Sequence, residues 1–380
     1  MRLYEFEGIE LFRREGIPVP DYTVVTSPWE ARQRAAELGL PVVIKAQVLA
    51  SGRGLVGGIK SADSLEQVEE VARHILSSQI KGFTVERLIV ARKVEVAREL
   101  YLGVTVDGYK GVPVIILSPA GGVSIEEVAR TSPELVVSRL VTITAGLGQS
   151  EASRMVKEAG LTGEESRQIS DILHALYTVF RKYDALITEI NPLALIPLGG
   201  CLALDAKVEI DDSSLYRHPE FMTALEERIS NPLERKGRQI GVTYVEMDGD
   251  IGLISSGAGL GMATMDIIGR RFRPANFLET GGAITAELLY QSMNLVMQKK
   301  GLKAVFINLY GGINPIHEGA RGIVQYIQEH RLTIPIVAKA LGNRQEETWE
   351  ILKGGGVNVV NDVATEKGVD LLAHLLEGSK

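Results

Sequence analysis

Lys45 sits inside the apolar run Pro41-Val-Val-Ile-Lys-Ala46, and a glycine cluster follows closely as Gly52-Arg53-Gly54 and Gly57-Gly58. A lysine turned inward from an apolar strand needs an anionic partner. Glycines let a backbone fold over phosphates and aim its N–H groups at them, while the lysine supplies a point charge. The Walker pattern GxxxxGK[ST] is absent, so this is another kind of phosphate loop or a flexible hairpin, and the lysine tips the balance to phosphate. A second constellation is Glu189-Ile-Asn191-Pro192 followed by Asp205. On a strand Glu189 and Asn191 share a face, and a hairpin partner can bring Asp205 beside them. Magnesium takes hard oxygen ligands, one or two from side chains and the rest from phosphate and water. Asn191 and Asp205 suit that demand, with Glu189 as a further ligand or nearby base; solvated polar faces of a β-ribbon are the alternative.

A third cluster, Gly257-Ala-Gly259-Leu-Gly261-Met262, looks like a dinucleotide fingerprint, and Glu279 stands where a ribose-binding acid would. The pattern breaks at Met262 and at the extra pair Gly281-Gly282, so an anion or acyl site is the simpler reading. The six histidines have no metal-ligand spacing, and no GxSxG elbow accompanies them. His317 alone falls near a ligand edge, and a surface residue at a helix start accounts for it. Nucleotide machinery is present without a covalent relay.

These residues need elements to hold them. Apolar spacing predicts a helix from Tyr4 to Phe12, a second from Trp29 to Leu38, and a buried strand over Pro41–Val48 running into the loop Ser51–Gly58. A helix over Leu65–Leu76 precedes strands at Thr84–Val90, Val96–Val106 and Val112–Leu117; Pro133–Tyr183 reads as mainly helical. Strands Leu186–Ile190 and Leu202–Val208 flank a Leu198-Gly-Gly turn and form a hairpin. Asn231–Arg238 reads as a polar linker. Beyond it, strand, glycine turn and helix alternate four times, at Gly257, Gly281, Gly311 and Gly342, which argues for a doubly wound parallel sheet with ligands at the strand ends.

The 380 residues exceed one ordinary core, so two domains are expected, and the net charge of -7 disfavours nucleic acid as a partner. One cysteine, Cys201, rules out an intrachain disulfide framework, and neither a signal peptide nor a membrane-length apolar run is evident, so a cytoplasmic protein with no membrane partner is expected.

Together the motifs resemble the β subunit of succinyl-CoA synthetase, the ADP-forming succinate–CoA ligase. The matching stretches are Val43-Ile-Lys-Ala-Gln47 with Gly52-Arg-Gly54, Arg98-Glu-Leu-Tyr-Leu-Gly103, Glu189-Ile-Asn-Pro-Leu193 and Leu204-Asp-Ala-Lys207. In the second half they are Gly257-Ala-Gly-Leu260, Thr264-Met-Asp-Ile267, Pro274-Ala-Asn-Phe-Leu278 and Gly311-Gly-Ile313. The resemblance implies an α/β chain with an ATP-grasp domain over residues 1–230 and a flavodoxin-like, doubly wound CoA-ligase domain over 240–380. It implies that Lys45, Gly52, Arg53, Gly54 and Glu99 hold ATP or GTP, that Asn191 and Asp205 hold Mg2+, and that Glu189 faces a phosphohistidine. That histidine and the CoA site would belong to a separate α subunit, in an αβ or α2β2 assembly. Ser256, Gly312, Ile313 and Asn314 would meet a small carboxylic acid.

Four departures fall on base and acid contacts. Ala91 replaces a glutamate near the adenine, Ser256 replaces an asparagine, Asn314-Pro-Ile-His-Glu318 replaces a Val-Arg-Cys-Asp type run, and Lys339-Ala-Leu-Gly342 carries lysine for arginine. The acid is therefore succinate, or malate or another substituted dicarboxylate. A self-sufficient carboxylate–amine ligase and a non-catalytic descendant are the other readings.

Overall fold

The computed structural model describes residues 1–50, 52–197, 199–221 and 228–378, which form two compact units, Met1–Met222 and Thr223–Lys380. Ser51 and Leu198, expected in the glycine loop and the hairpin turn, lie outside the described residues.

In the first unit a four-stranded antiparallel sheet has the order β1 (Tyr22–Val25), β6 (Leu88–Arg92), β2 (Val42–Ala46), β3 (Ile59–Ala62). Helices α2 (Pro28–Leu38) and α3 (Leu65–Leu76) cover it, each started by a serine, Ser27 or Ser64, that accepts an N–H from the first turn. Strand alternation sorts β2: Val42, Ile44 and Ala46 enter the core with Val68, Ala72 and Val90, which leaves Lys45 on the other face. A short hairpin, β4 (Gln79–Ile80) and β5 (Phe83–Thr84), precedes β6, so the expected strand Thr84–Val90 is divided.

The larger sheet runs β11 (Cys201–Ala203), β10 (Ala185–Leu195), β7 (Arg98–Asp107), β8 (Val112–Ser118), β9 (Val137–Leu140), with β12 (Lys207–Ile210) also paired to β10. Beside it stand α4 (Ile125–Thr131), α5 (Gln149–Glu158) and α6 (Ser166–Lys182), so Pro133–Tyr183 contains a strand as well as helices. The expected strand Leu202–Val208 is two strands, and Asp205 lies in the break between them. α1 (Glu5–Arg14) packs on β12.

The second unit orders its strands β13 (Thr243–Glu246), β15 (Asn276–Glu279), β14 (Ile251–Ser255), β16 (Ala304–Gly311), β17 (Ile336–Gly342), β18 (Asn358–Val360), all parallel except β13. Without β13 the order is 2-1-3-4-5, the flavodoxin-like arrangement, with its switch point between β14 and β16. Before this sheet comes α7 (Pro232–Gln239), so Asn231–Arg238 is not a linker. Its polar composition conceals that Asn231 accepts from the Leu233 and Glu234 N–H groups and starts the helix, whose Gly237 lies against Tyr244.

Alternate residues of β16 feed separate cores. Val305 and Ile307 meet α9 (Ala286–Met297) and α10 (His317–His330), while Phe306 meets α8 (Ala258–Gly269) and α12 (Thr365–Glu377). α11 (Gln345–Gly354) joins β17 to β18.

β14 and β15 share little ladder, and Asn276 supplies the missing bonds. Its fully buried amide accepts from Leu253 N–H at 3.0 Å and donates to the Leu253 carbonyl at 2.8 Å. Asn276→Leu is expected to strand both groups and lower stability by about 2–5 kcal/mol, read by urea unfolding.

Candidate functional site

The first three residues run along β12, with Leu3 N–H donating to the Val208 carbonyl at 2.9 Å. Gly8 lets α1 settle on the break after β11, since a methyl group there would stand 3.2 Å from Ala206 Cβ. This approach carries Glu5 inward, and its side chain is only 2% exposed.

Glu5 is the hub of the site. Lys45 Nζ donates to Glu5 Oε1 at 2.8 Å and to the Leu204 carbonyl. One Arg53 nitrogen donates to Glu5 Oε2 and to Asp205 Oδ1, the latter at 3.0 Å; the other donates to the Ala46 carbonyl at 3.0 Å. Gln47 donates to Glu5 Oε2 at 3.2 Å and accepts from Phe6 N–H at 3.3 Å. Burial opposes the charge on Glu5, but Lys45 and Arg53 outweigh it and hold its carboxyl below the usual range. Asp205 stands at the mouth with its side chain 38% exposed. It still loses hydration to the surrounding chain, and the charge on Glu5 adds to that, so its carboxyl is pushed above the usual range.

Asn191 comes to Asp205 through strand register. Leu193 pairs with Ala203 on one side of the break and Glu189 with Lys207 on the other, and the same register sets Asn191 opposite Asp205. The Asn191 amide accepts from Gly122 N–H at 2.8 Å and donates to the Val123 carbonyl at 3.0 Å, which orients its oxygen. An amide oxygen and a carboxylate at register-matched positions are hard oxygen donors of the kind that fit a divalent cation. Among the described residues no cluster of three or more His, Cys, Asp or Glu could form a closed metal cage. Magnesium that keeps its water and phosphate ligands needs none.

Glu189 has its own partner, Lys207 Nζ at 2.8 Å. Gly52 adopts a left-handed φ of 69° and leads into a 3-10 turn, Arg53–Val56, that contains Gly54. The Glu99 carboxylate lies against Gly122, the residue whose N–H donates to Asn191. The structure thus gathers Lys45, Arg53 and Asp205 directly. Glu5, Gln47 and Lys207 complete the arrangement although spacing had given them no role. Glu5 had a signal: it precedes Ile9 and Phe12 at helical spacing, a carboxylate in a core-facing position.

In the second unit, Ser256 follows the carboxyl end of β14 and Gly312–Asn314 follow that of β16. Ser256 Oγ accepts from Tyr310 N–H at 2.7 Å and donates to its carbonyl at 3.1 Å, joining the two strand ends. Asn314 donates to the Gly282 carbonyl, and Asn343 donates to that of Ile313 at 2.9 Å, while the Ile313 side chain is exposed. His317 opens α10 as expected but is buried rather than on the surface, with Nε2 within 3.0 Å of Glu318 and 3.2 Å of Arg344. Lys339 is also buried, which lowers its pKa.

Residues 2–195 match the ATP-grasp domain family, and residues 254–369 match the CoA-ligase family. The succinate–CoA ligase [GDP-forming] β subunit of Thermus thermophilus is 41% identical, the match covering 93% of this chain and 94% of that one. The ADP-forming β subunit of Chloroflexus aurantiacus is 42% identical over 91% and 92%, and that of Desulfurococcus amylolyticus is 41% identical over the whole of both chains. An ATP citrate lyase from Methanothrix soehngenii, solved with citrate and coenzyme A, shares the fold at a TM-score of 0.80 and 16% identity, over 98% of this chain and 99% of that one. Fold, domain order and relatives agree: the chain belongs to the succinate–CoA ligase β-subunit family.

Proposed function

We propose that this chain is the nucleotide-binding subunit of a heteromeric ADP-forming acid–CoA ligase that acts on succinate. The observation that carries the reading is the pair of cations, Lys45 and Arg53, held by buried Glu5, with Arg53 also bonded to Asp205 at the mouth of the cluster. Lys45 and Arg53 neutralise phosphate oxygens, and the glycine turn from Gly52 to Gly54 brings backbone N–H groups to them. Asn191 and Asp205 would hold magnesium, which when bound offsets charge on the transferred phosphoryl group. Glu99 lines the nucleotide pocket.

The phosphoryl acceptor on this reading is a histidine of a separate α subunit, which also holds CoA. In the first unit His174 bonds the Leu147 carbonyl, His218 bonds Asp184, and His74 lies in the last turn of α3. Glu189, kept close to Lys207, faces the partner's histidine and orients it. Ser256 and Gly312–Asn314 receive the acid at the flavodoxin-like switch point, where backbone N–H groups favour carboxylates. The assembly is αβ or α2β2, in a reducing cytoplasm.

A second reading concerns the acid alone. Ser256 is committed to Tyr310, Asn314 to Gly282, and lysine stands at 339, and these differences from the expected acid contacts are what motivate malate or another substituted dicarboxylate as the alternative. ADP formation by the co-purified subunits should be measured with CoA and a panel of acids. Turnover with succinate supports the first reading; turnover with malate and none with succinate selects the second.

Asp205→Ala is expected to abolish transfer of labelled phosphate from ATP to the α subunit's histidine while the subunits still co-purify. Labelling at the unaltered rate would remove Asp205 from the metal site.

A further inference from the structure

The charges around Glu5 are layered by depth. Glu5 lies at the bottom with a side chain 2% exposed, Arg53 and Lys45 follow at 10% and 13%, and Asp205 is outermost at 38%. Two cations face two carboxylates, so the cluster by itself carries no net charge. One guanidinium nitrogen of Arg53 serves both acids, and that nitrogen occupies the oxygen of Asp205 at 3.0 Å.

We propose that Arg53 stands in for the metal ion on Asp205 until a ligand arrives, with Glu5 as its permanent counter-ion, so that the chain admits a nucleotide only together with its cation. This rests on the reading that Lys45, Arg53 and Asp205 hold nucleotide and metal. The physical reason is balance. A metal-free nucleotide brings only negative charge, and the first group it meets is the outermost carboxylate, Asp205, where like charges in a partly desolvated site repel. When Asp205 takes a cation instead, Arg53 is released towards the phosphates. It is not set loose, because Glu5 and the Ala46 carbonyl still hold it, and a guanidinium has donors to spare. Lys45 is tethered in the same way by Glu5 and the Leu204 carbonyl. Glu5 is therefore a positioning residue that never needs to touch the nucleotide. Its charge sets how strongly nucleotide and metal binding are coupled.

The test is calorimetric titration of the full chain, co-purified with its partner, with ADP in magnesium and with ADP in EDTA. The unaltered protein should bind ADP well only with magnesium. Glu5→Gln leaves the cluster with an excess positive charge, so metal-free ADP should bind more tightly and the preference for the magnesium form should fall by about tenfold. A Glu5 that served only as a structural anchor would instead weaken both titrations in parallel, and that result overturns the proposal. Asp205→Asn provides an independent arm should Glu5→Gln fail to fold. Released Arg53 should then improve metal-free ADP binding, whereas loss of a metal ligand alone would leave it unchanged and overturn the exchange. If the unaltered protein binds ADP under neither condition, the nucleotide reading itself fails.

Discussion

A buried carboxylate bonded by two cations organises the nucleotide half of this protein. Glu5 is out of reach of bulk water, and a charge so placed is tolerable only with close partners. Lys45 comes from β2, Arg53 from the glycine turn just after it and Glu5 from α1, 48 residues earlier than Arg53, so one interaction ties the phosphate-loop region to the start of the chain. The packing of α1 at Gly8 and Ala206 exists in the same place, and it brings Asp205 to the mouth of the cluster. The two cations are thereby preorganised, which limits what must be ordered should a ligand arrive.

The architecture was largely legible because it follows from pattern. The alternation of strand, glycine turn and helix after residue 250 specified a parallel sheet, and the strand order 2-1-3-4-5 then places Ser256 and Gly312 on either side of its switch point. Lys45 was legible as a charge in an apolar strand. Its partner was not, because Glu5 precedes it by 40 residues and only the tertiary fold joins them. The same limit applies at Asn231–Arg238, where composition indicated a linker and Asn231 instead caps a helix. Asp205 was assigned to a strand, yet it lies where the pairing of β10 passes from β11 to β12. A gap in the ladder leaves its side chain open to a ligand, and hydrophobic periodicity does not report gaps.

In the second unit the strand ends are held by backbone and side-chain contacts alike. Its strand ends remain closely knit, since Gly342 abuts the Gly311 carbonyl and Asn343 spans to Ile313. The side chains at those ends are largely turned to the protein itself: Ser256 bonds Tyr310, Asn314 bonds Gly282, and His317 and Lys339 are buried. On the proposed reading, the strand-end backbone would supply affinity for a carboxylate and these side chains would supply selectivity.

The central claim is that Asn191 and Asp205 receive the cation of the nucleotide beside Lys45 and Arg53. Its most direct test is a crystal structure of the chain with its partner, grown with manganese and a non-hydrolysable ATP analogue, with the anomalous signal of the metal located. The account predicts a manganese peak bonded to the Asp205 carboxylate and the Asn191 amide oxygen, with Arg53 moved from Asp205 to phosphate. A peak elsewhere, with Arg53 still on Asp205, would contradict it.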